Sequence, residues 1–556
     1  MQIVIPMSGF GERFRRAGYS MPKPLIEVDG KPIIAHIIDM FPGEKDFIFI
    51  CNQDHLLESD YNMTGLIQRY CTSARIVGIS PHKLGPIHAV QQVEHLLDMS
   101  KPIVVNYCDF TCYWDWAHFK RFVKETGCAG AIPAYKGFHP HTLGSTNYAY
   151  IRENNSWVDD IQEKQPYTNN RMDEFASSGT YYFASAQIMS NAFRLTRDQK
   201  LNVDGEYYVS LAYKPLLHNN QLIAVYPLQH FMQWGTPEDV AEYNIWSESF
   251  KQLISTPSSK TILGGTLILP MAGLGQRFVD EGYLLTKPLI PVSGLPMVVQ
   301  STHDLPSAEE HVFVLRSDMQ GHNEVVCMLK DRYPNALIKI INQVTEGQAC
   351  TALIGLDALK NEIGDIPGPI TIGACDNGML YDQSTFEIML ADDNIDVIVW
   401  GVRGYPNALR NPQMFGWIKS DNGQITSISV KVPLESPATD PIVLGTFTFR
   451  NSKSFYSAVE RLIARDGRIN GEFFIDSCIN DAIELGLKCK LFEVDSYLCW
   501  GTPNDLRTFE YWQSCFHKWT GHPYKLELDS RVLIDKVESL SLRYSQNLPD
   551  YPLVKV

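Results

Sequence analysis

Short apolar runs recur along the chain at spacings that leave room for helices. In the first half they read "QIVIPM", "FIFIC", "PIVVNYC" and "CAGAIPAY"; in the second, "TLILPM", "HVFVLR", "PITIGAC" and "DVIVWGV". The stretches between them carry helical patterning. Strands that are apolar on both faces and alternate with helices predict a mostly parallel sheet covered on each side, an α/β architecture. Ligands of such sheets bind at the carboxyl ends of the strands. In each half the first strand runs into a glycine-rich turn at that end.

The two halves are copies of one plan. "IPMSGFGERFRRAGYSMPKPLI" returns as "LPMAGLGQRFVDEGYLLTKPLI", so that Arg13 and Arg277, like Lys23 and Lys287, lie 264 positions apart. "NYCDF" pairs with "GACDN", "SGTYYF" with "LGTFTF", "DGEYYV" with "NGEFFI" and "QWGTPEDV" with "CWGTPNDL", all in the same order and at offsets of 266 or 267. Conserved order with so little drift marks a tandem duplication. The expected domains are 1–252 and 266–520, joined by the Pro/Ser/Gly/Thr-rich stretch 253–265. The tail 521–556 has no counterpart in the repeat and suggests no function.

Composition narrows the class. The 556 residues are 44% hydrophobic and 20% charged, ordinary values for a globular protein, with a formal net charge of −15. An acidic chain is not expected to bind nucleic acid. The 12 cysteines show no CxxC pair and no zinc-ligand spacing, which fits a reducing cytoplasm. No run approaches the ~18 apolar residues of a membrane span, and "MQIVIP" is too short for a leader. A soluble cytoplasmic protein is therefore expected, without membrane partners; homo-oligomerisation is compatible with this reading.

The glycine-rich turn points to phosphate chemistry. A strand ending in Gly-x-Gly and leading into a helix lets backbone N–H groups approach a phosphate. Gly9 and Gly11 serve this in the first copy, Gly273 and Gly275 in the second. Arg13 and Arg277 then supply a cation from the same turn, and Lys23 and Lys287, each fixed by a following proline, supply another. The loop is not a Walker A motif, because GxxxxGK[ST] is absent. Phe14 and Phe278 replace the third glycine of a dinucleotide fingerprint.

The cassette resembles the GxGxR[FL]…PKP[LM] signature of the sugar-1-phosphate nucleotidyltransferases, also called pyrophosphorylases. The resemblance spans both halves and implies two tandem Rossmann-like α/β domains, each with a mixed, mostly parallel sheet flanked by helices. The implied reaction joins a nucleoside triphosphate to a phosphorylated small-molecule acceptor and releases pyrophosphate. It also implies roles for later motifs. Asp109 and Asp376 correspond to the strand-end aspartate that holds Mg²⁺. "LGPIHAV" and "EGQACTAL" correspond to the base-contacting loop, giving Gly85 and Gly347. "DIQEKQP" corresponds to the sugar-phosphate element, giving Glu163 and Lys164; the second copy keeps Lys431 but has Val430 in place of the glutamate. Gly179 and Gly445 correspond to the sugar-side turn, Glu206 and Glu472 to a Gly-Glu element nearby.

One motif departs from the family. Where many relatives carry a second metal-binding aspartate, this chain has Gln233 and Cys499, neither a good ligand for a hard cation. Three alternatives follow: a cytidylyltransferase acting on a phosphorylated alcohol or amine; one catalytic copy beside a regulatory one, the second being the candidate; or a nucleotide-sugar glycosyltransferase, whose expected DxD motif is missing at the strand-end aspartates. Because valine cannot accept a hydroxyl, the second copy is expected to take a smaller or less hydroxylated phosphate, or none. The expected product is a nucleotide-activated sugar for surface polysaccharide such as capsule or lipopolysaccharide.

Overall fold

The computed structural model describes residues 1–145, 147–228, 230–255 and 263–545. Positions 256–262 of the expected linker and 546–556 of the tail lie outside the described residues.

In the first half the run from Gln2 to Met7 forms the strand that organises the sheet. Ile3, Val4 and Ile5 are fully buried, each such side chain contributing about 1.5–3 kcal/mol. It lies parallel to Asp46–Asn52 on one side and to Ile103–Asn106 on the other. Asp46–Asn52 continues in parallel to Arg75–Ile79. Beyond Ile103–Asn106 the antiparallel Thr180–Phe183 intervenes, followed by the parallel pair Gly130–Tyr135 and Ile223–Leu228. The antiparallel hairpin Ala149–Asn154 and Trp157–Glu163 completes the far edge with Phe175–Ser177. The result is a ten-stranded mixed sheet whose central strands are parallel, with a core built from Val4, Ile48, Val105, Ile132 and their neighbours.

The second half repeats the order. Leu337–Ile341, Glu310–Arg316, Thr266–Pro270 and Ile370–Ile372 run parallel; Ile442–Phe449 is antiparallel. Val397–Val402 and Cys489–Glu493 form the second parallel pair, and the hairpin Gln424–Val430 with Gly416–Asp421 closes the nine-stranded sheet. Strand for strand the two sheets agree, except that Ile442–Phe449 is one strand where the first half has two.

The chain clusters into two compact units. The first comprises Met1–Ser247, Ser514–Gly521 and the described residues from Tyr544; the second comprises Glu248–Gln513 and His522–Arg543. Each unit has one helix covered by a segment from the C-terminal region. In the first, the Ile33–Asp39 helix presents His36, which bonds Val28 O at 2.8 Å and packs against the Trp519 ring, centroids 5.4 Å apart. In the second, the Met297–Asp304 helix presents Gln300 at the equivalent place. Its Nε2 donates to Val292 O and to Arg531 O. The Arg531 guanidinium also donates to the buried Asp304 carboxylate at 2.5 Å. The sequence suggested no use for the tail, and this segment is a packed part of the second unit. Among the described residues no helix is long and apolar enough to cross a membrane.

Candidate active site

In the first unit, Gln2–Met7 ends in Ser8-Gly9, and Gly11 begins the short helix Glu12–Arg16. Arg13 lies exposed on that helix, close enough to Lys23 to oppose its charge. The chain returns through the one-turn helix Lys23–Leu25, whose Pro24 and Leu25 are buried and fix the lysine's stem. Lys23 Nζ then lies 3.0 Å from Asp109 Oδ2, with 23% and 27% of the two side chains exposed. Burial disfavours the lysine's charge, but the Asp109 carboxylate outweighs it and holds the ammonium above its usual pKa.

Asp109 follows the strand Ile103–Asn106. Its position is fixed by a small antiparallel ribbon, Phe110–Tyr113 with His230–Gln233. Trp234 N donates to Asp109 O at 2.8 Å, and a Cβ on Gly235 would lie 3.4 Å from Asp109 Oδ2. The "WGTP" element therefore packs against the carboxylate that the lysine pairs with. Behind it Asp239 accepts from Thr236 N and Oγ1, and burial, Glu242 and Asp109 push its carboxyl up to about 6.

The second unit repeats this arrangement. Lys287 Nζ is 2.5 Å from Asp376 Oδ2 and also donates to Gly501 O at 3.1 Å. Trp500 N donates to Asp376 O at 2.9 Å. Gly273 is exposed, Gly275 caps the helix Gln276–Asp280, and Arg277 reaches Met414 Sδ at 3.5 Å.

Gly85 and Gly347 are sterically required. At Gly85 the backbone φ is +85°, and a Cβ would lie 2.6 Å from Tyr207 N. At Gly347 φ is +135°, with Phe473 N at 2.5 Å from the same point. In each unit the Gly-Glu element thus backs directly onto this loop: Tyr207 N bonds Leu84 O, and Phe473 N bonds Glu346 O.

A second cluster gathers around Glu163. Ser210 Oγ donates to its carboxylate at 2.5 Å, and Lys164 Nζ donates to Tyr208 OH, which in turn donates to Glu206 at 2.8 Å. Burial pushes Glu163 up to about 7, against Ser210 and Lys164, which pull it down. Gly179 packs within 3.0–3.4 Å (measured from an ideal Cβ) of Phe110 and Tyr107. Tyr107, Tyr208 and Ser210 were not singled out from the sequence, although Tyr208 and Ser210 lie within or beside the quoted "GEYY". In the second unit Lys431 Nζ sits 4.5 Å from the Phe474 ring, Glu472 is exposed, and Gly445 faces Ala374 in place of a tyrosine.

Asp109 and Asp376 can each offer carboxylate oxygen to a hard divalent cation. Among the described residues no group of three His, Cys, Asp or Glu side chains gathers at ligand spacing. Burial drives the Cys499 thiol well above its usual pKa, which keeps it protonated and a poor ligand. The donor set fits a cation bound through one carboxylate, with phosphates and water completing its shell, which is how Mg²⁺ is commonly held.

The sequence model of the Nucleotidyl transferase family matches residues 3–222. The chain is 23% identical over 292 residues to a mannose-1-phosphate guanyltransferase of Schizosaccharomyces pombe, covering 50% of this chain and 74% of that protein. It is 26% identical over 282 residues to the catalytic subunit beta of a Dictyostelium discoideum mannose-1-phosphate guanylyltransferase, covering 49% and 72%. Among solved structures, a nucleoside-diphosphate-sugar pyrophosphorylase of Vibrio cholerae aligns with a TM-score of 0.36 at 19% identity, over 44% of this chain and 99% of that one. The matched residues all lie in the first unit. The chain is a nucleotidyltransferase enzyme.

Proposed function

We propose that the protein transfers a nucleotidyl group from a nucleoside triphosphate to a sugar 1-phosphate, with the first unit as a catalytic domain. The observation that carries this is the Lys23–Asp109 pair at the strand end facing the glycine turn, with the Glu163–Lys164 cluster in the same unit. An oxygen of the acceptor phosphate attacks the α-phosphorus, the bond to the β-phosphate oxygen breaks, and pyrophosphate leaves. The acceptor phosphate is already ionised, so no general base is needed. The work is to bring two anions together. Lys23 and Arg13 neutralise the triphosphate and the departing pyrophosphate. Lys164 takes the acceptor phosphate, and Glu163 accepts sugar hydroxyls. Mg²⁺ on Asp109 would supply further charge neutralisation at the phosphates.

The second unit, Glu248–Gln513 with His522–Arg543, carries the corresponding residues Arg277, Lys287, Asp376 and Lys431, and we assign it the same triphosphate chemistry. The named activities of the relatives support a mannose-1-phosphate and guanine preference. The expected setting is a cytoplasmic supply of nucleotide sugars for surface polysaccharide. Screening the common NTPs against mannose 1-phosphate, glucose 1-phosphate, glycerol 3-phosphate and phosphoethanolamine by pyrophosphate release tests the reading. Release with a sugar phosphate, abolished by EDTA and restored by Mg²⁺, is expected. Release with phosphoethanolamine or glycerol 3-phosphate alone would move the assignment to a non-sugar cytidylyltransferase type, and full activity in excess EDTA would remove the metal from it.

A further inference from the structure

The loss of the acceptor glutamate in the second unit is accompanied by two further exchanges at the same place. The first unit has Glu163 at the end of Trp157–Glu163, paired across the hairpin with Ala149 and bonded by Ser210. The second unit has Val430, paired with Gly416, and Asp476 where the repeat places Ser210. The carboxylate has moved from the strand to the second residue of the helix Ile475–Glu484. Gly416 is what lets it fit: a Cβ there would overlap Asp476 Oδ2, whereas the first unit, with only a serine opposite, carries alanine. The three differences form one spatial exchange. Position 476 lies on a helix 46 residues beyond the hairpin end formed by 416 and 430, so the sequence does not join them.

The carboxylate is held where a ligand group would be useful. It is part-buried against the end of the hairpin, and Lys431 lies close enough to oppose the effect of burial on it. Among the described residues it takes no hydrogen bond from another residue, while Asp481, further along the same helix, is bonded by Arg465 at 2.6 Å and 2.7 Å. Leaving a part-buried carboxylate with unused acceptors is costly unless something else donates to them. Burial accordingly pushes its carboxyl up to about 6. An acidic residue in a first helical turn is favourable by itself, but a surface position would serve that purpose without a glycine opposite.

We infer that the second unit binds a hydroxyl-bearing phosphorylated acceptor, with Asp476 accepting its hydroxyls from the helix side as Glu163 does from the strand side in the first unit. This rests on the nucleotidyl-transfer reading above. It replaces the expectation, drawn from Val430 alone, that the second copy handles a less hydroxylated acceptor or none.

The test uses the full chain with the first unit disabled by Arg13→Ala and Lys23→Ala. Pyrophosphate release is followed with mannose 1-phosphate, glucose 1-phosphate, glycerol 3-phosphate and, lacking hydroxyls, phosphoethanolamine, each with the common NTPs. Turnover of a hydroxyl-bearing acceptor is expected. Asp476→Asn should raise KM for that acceptor about tenfold or more, with KM for the NTP within twofold. Asp476→Ser should do the same, and Asp476→Ser combined with Val430→Glu and Gly416→Ala should recover most of the loss, which a merely misfolded site would not. Unchanged acceptor KM in Asp476→Asn overturns the inference. So does turnover of phosphoethanolamine alone, or silence of the second unit while the unmodified chain works through the first. Silence of the unmodified chain with every pair would instead bring down the nucleotidyl-transfer reading itself.

Discussion

The two units keep one end of their candidate sites and change the other. At the glycine-turn end they agree in detail: the same strand end, the same lysine on the same aspartate, and the same Trp-Gly element, with Trp234 N and Trp500 N each bonded to the aspartate carbonyl. Around Glu163 and its counterpart, the proposed acceptor end, they diverge. Tyr107 becomes Ala374, Tyr208 becomes Phe474, and the carboxylate passes from Glu163 to Asp476. A nucleotide's phosphates have the same charge and geometry whatever the acceptor, so a duplicated site gains nothing by altering the residues that hold them. Specificity depends on polar groups matched to particular hydroxyls. The acceptor end is where a second copy can acquire a new preference without loss of the chemistry.

The units also differ in what covers them, and this difference gives the largest expected effect. Arg531→Ala removes the guanidinium from the buried Asp304 of the second unit, whereas the first unit has the apolar Met40 at the equivalent place. Breaking one side of a buried ion pair costs about 3–5 kcal/mol. Urea unfolding should show an early transition for the second unit, and a single unshifted transition would mean that the tail contributes little. Next come the two lysines. Lys23→Ala and Lys287→Ala should each lower turnover of their own unit by about 10²–10³, the loss typical of one preorganised electrostatic contact. Two-acceptor competition assays would separate the units, and loss of all activity with Lys23→Ala alone would mark the second as regulatory.

A smaller effect is expected from Trp519→Ala, which strips the ring from His36 and Trp234 in the first unit. We expect about 2 kcal/mol of destabilisation, below the range for a fully buried tryptophan because Trp519 is only part-buried. A fragment ending at 252 lacks this residue and should melt below the full chain's first unit.

The smallest effect concerns pH. Glu163, with a pKa near 7, is faced by Lys164, Glu206, Tyr107, Tyr181 and Tyr208. It can accept a hydroxyl fully only when ionised, so the first unit's acceptor KM should rise as pH falls through 7. Glu163→Gln should raise KM roughly tenfold at pH 8 and flatten that profile. Because its folded pKa lies above the ordinary glutamate value, the folded chain holds the proton more tightly than the unfolded chain. Its contribution to stability is present at low pH and lost as pH rises through about 7. Glu163→Gln should therefore gain on the parent in melting temperature between pH 5 and 8. Equal pH dependence in the two proteins would place the perturbed group elsewhere.

Much of this was legible in the chain itself. Short apolar runs without a polar face, followed at once by glycines, fit strands buried on both sides, so "QIVIPM" and "TLILPM" pointed to central strands of two similar sheets. The repeat tied Lys23 to Lys287 and Asp109 to Asp376 before any geometry was known. Tertiary structure decided which of these residues meet. Lys23 and Asp109 are 86 positions apart, and their ion pair depends on strand register and on the ribbon that pins the aspartate. It also decided how an exchange is compensated. Val430 read as the loss of a carboxylate because a sequence compares one aligned position at a time. Asp476 and Gly416 restore the group from another element, and only packing brings helix and hairpin end together. The tail and the segment around Trp519 belong to the same category: their composition is unremarkable, and their role comes from the helix each one covers.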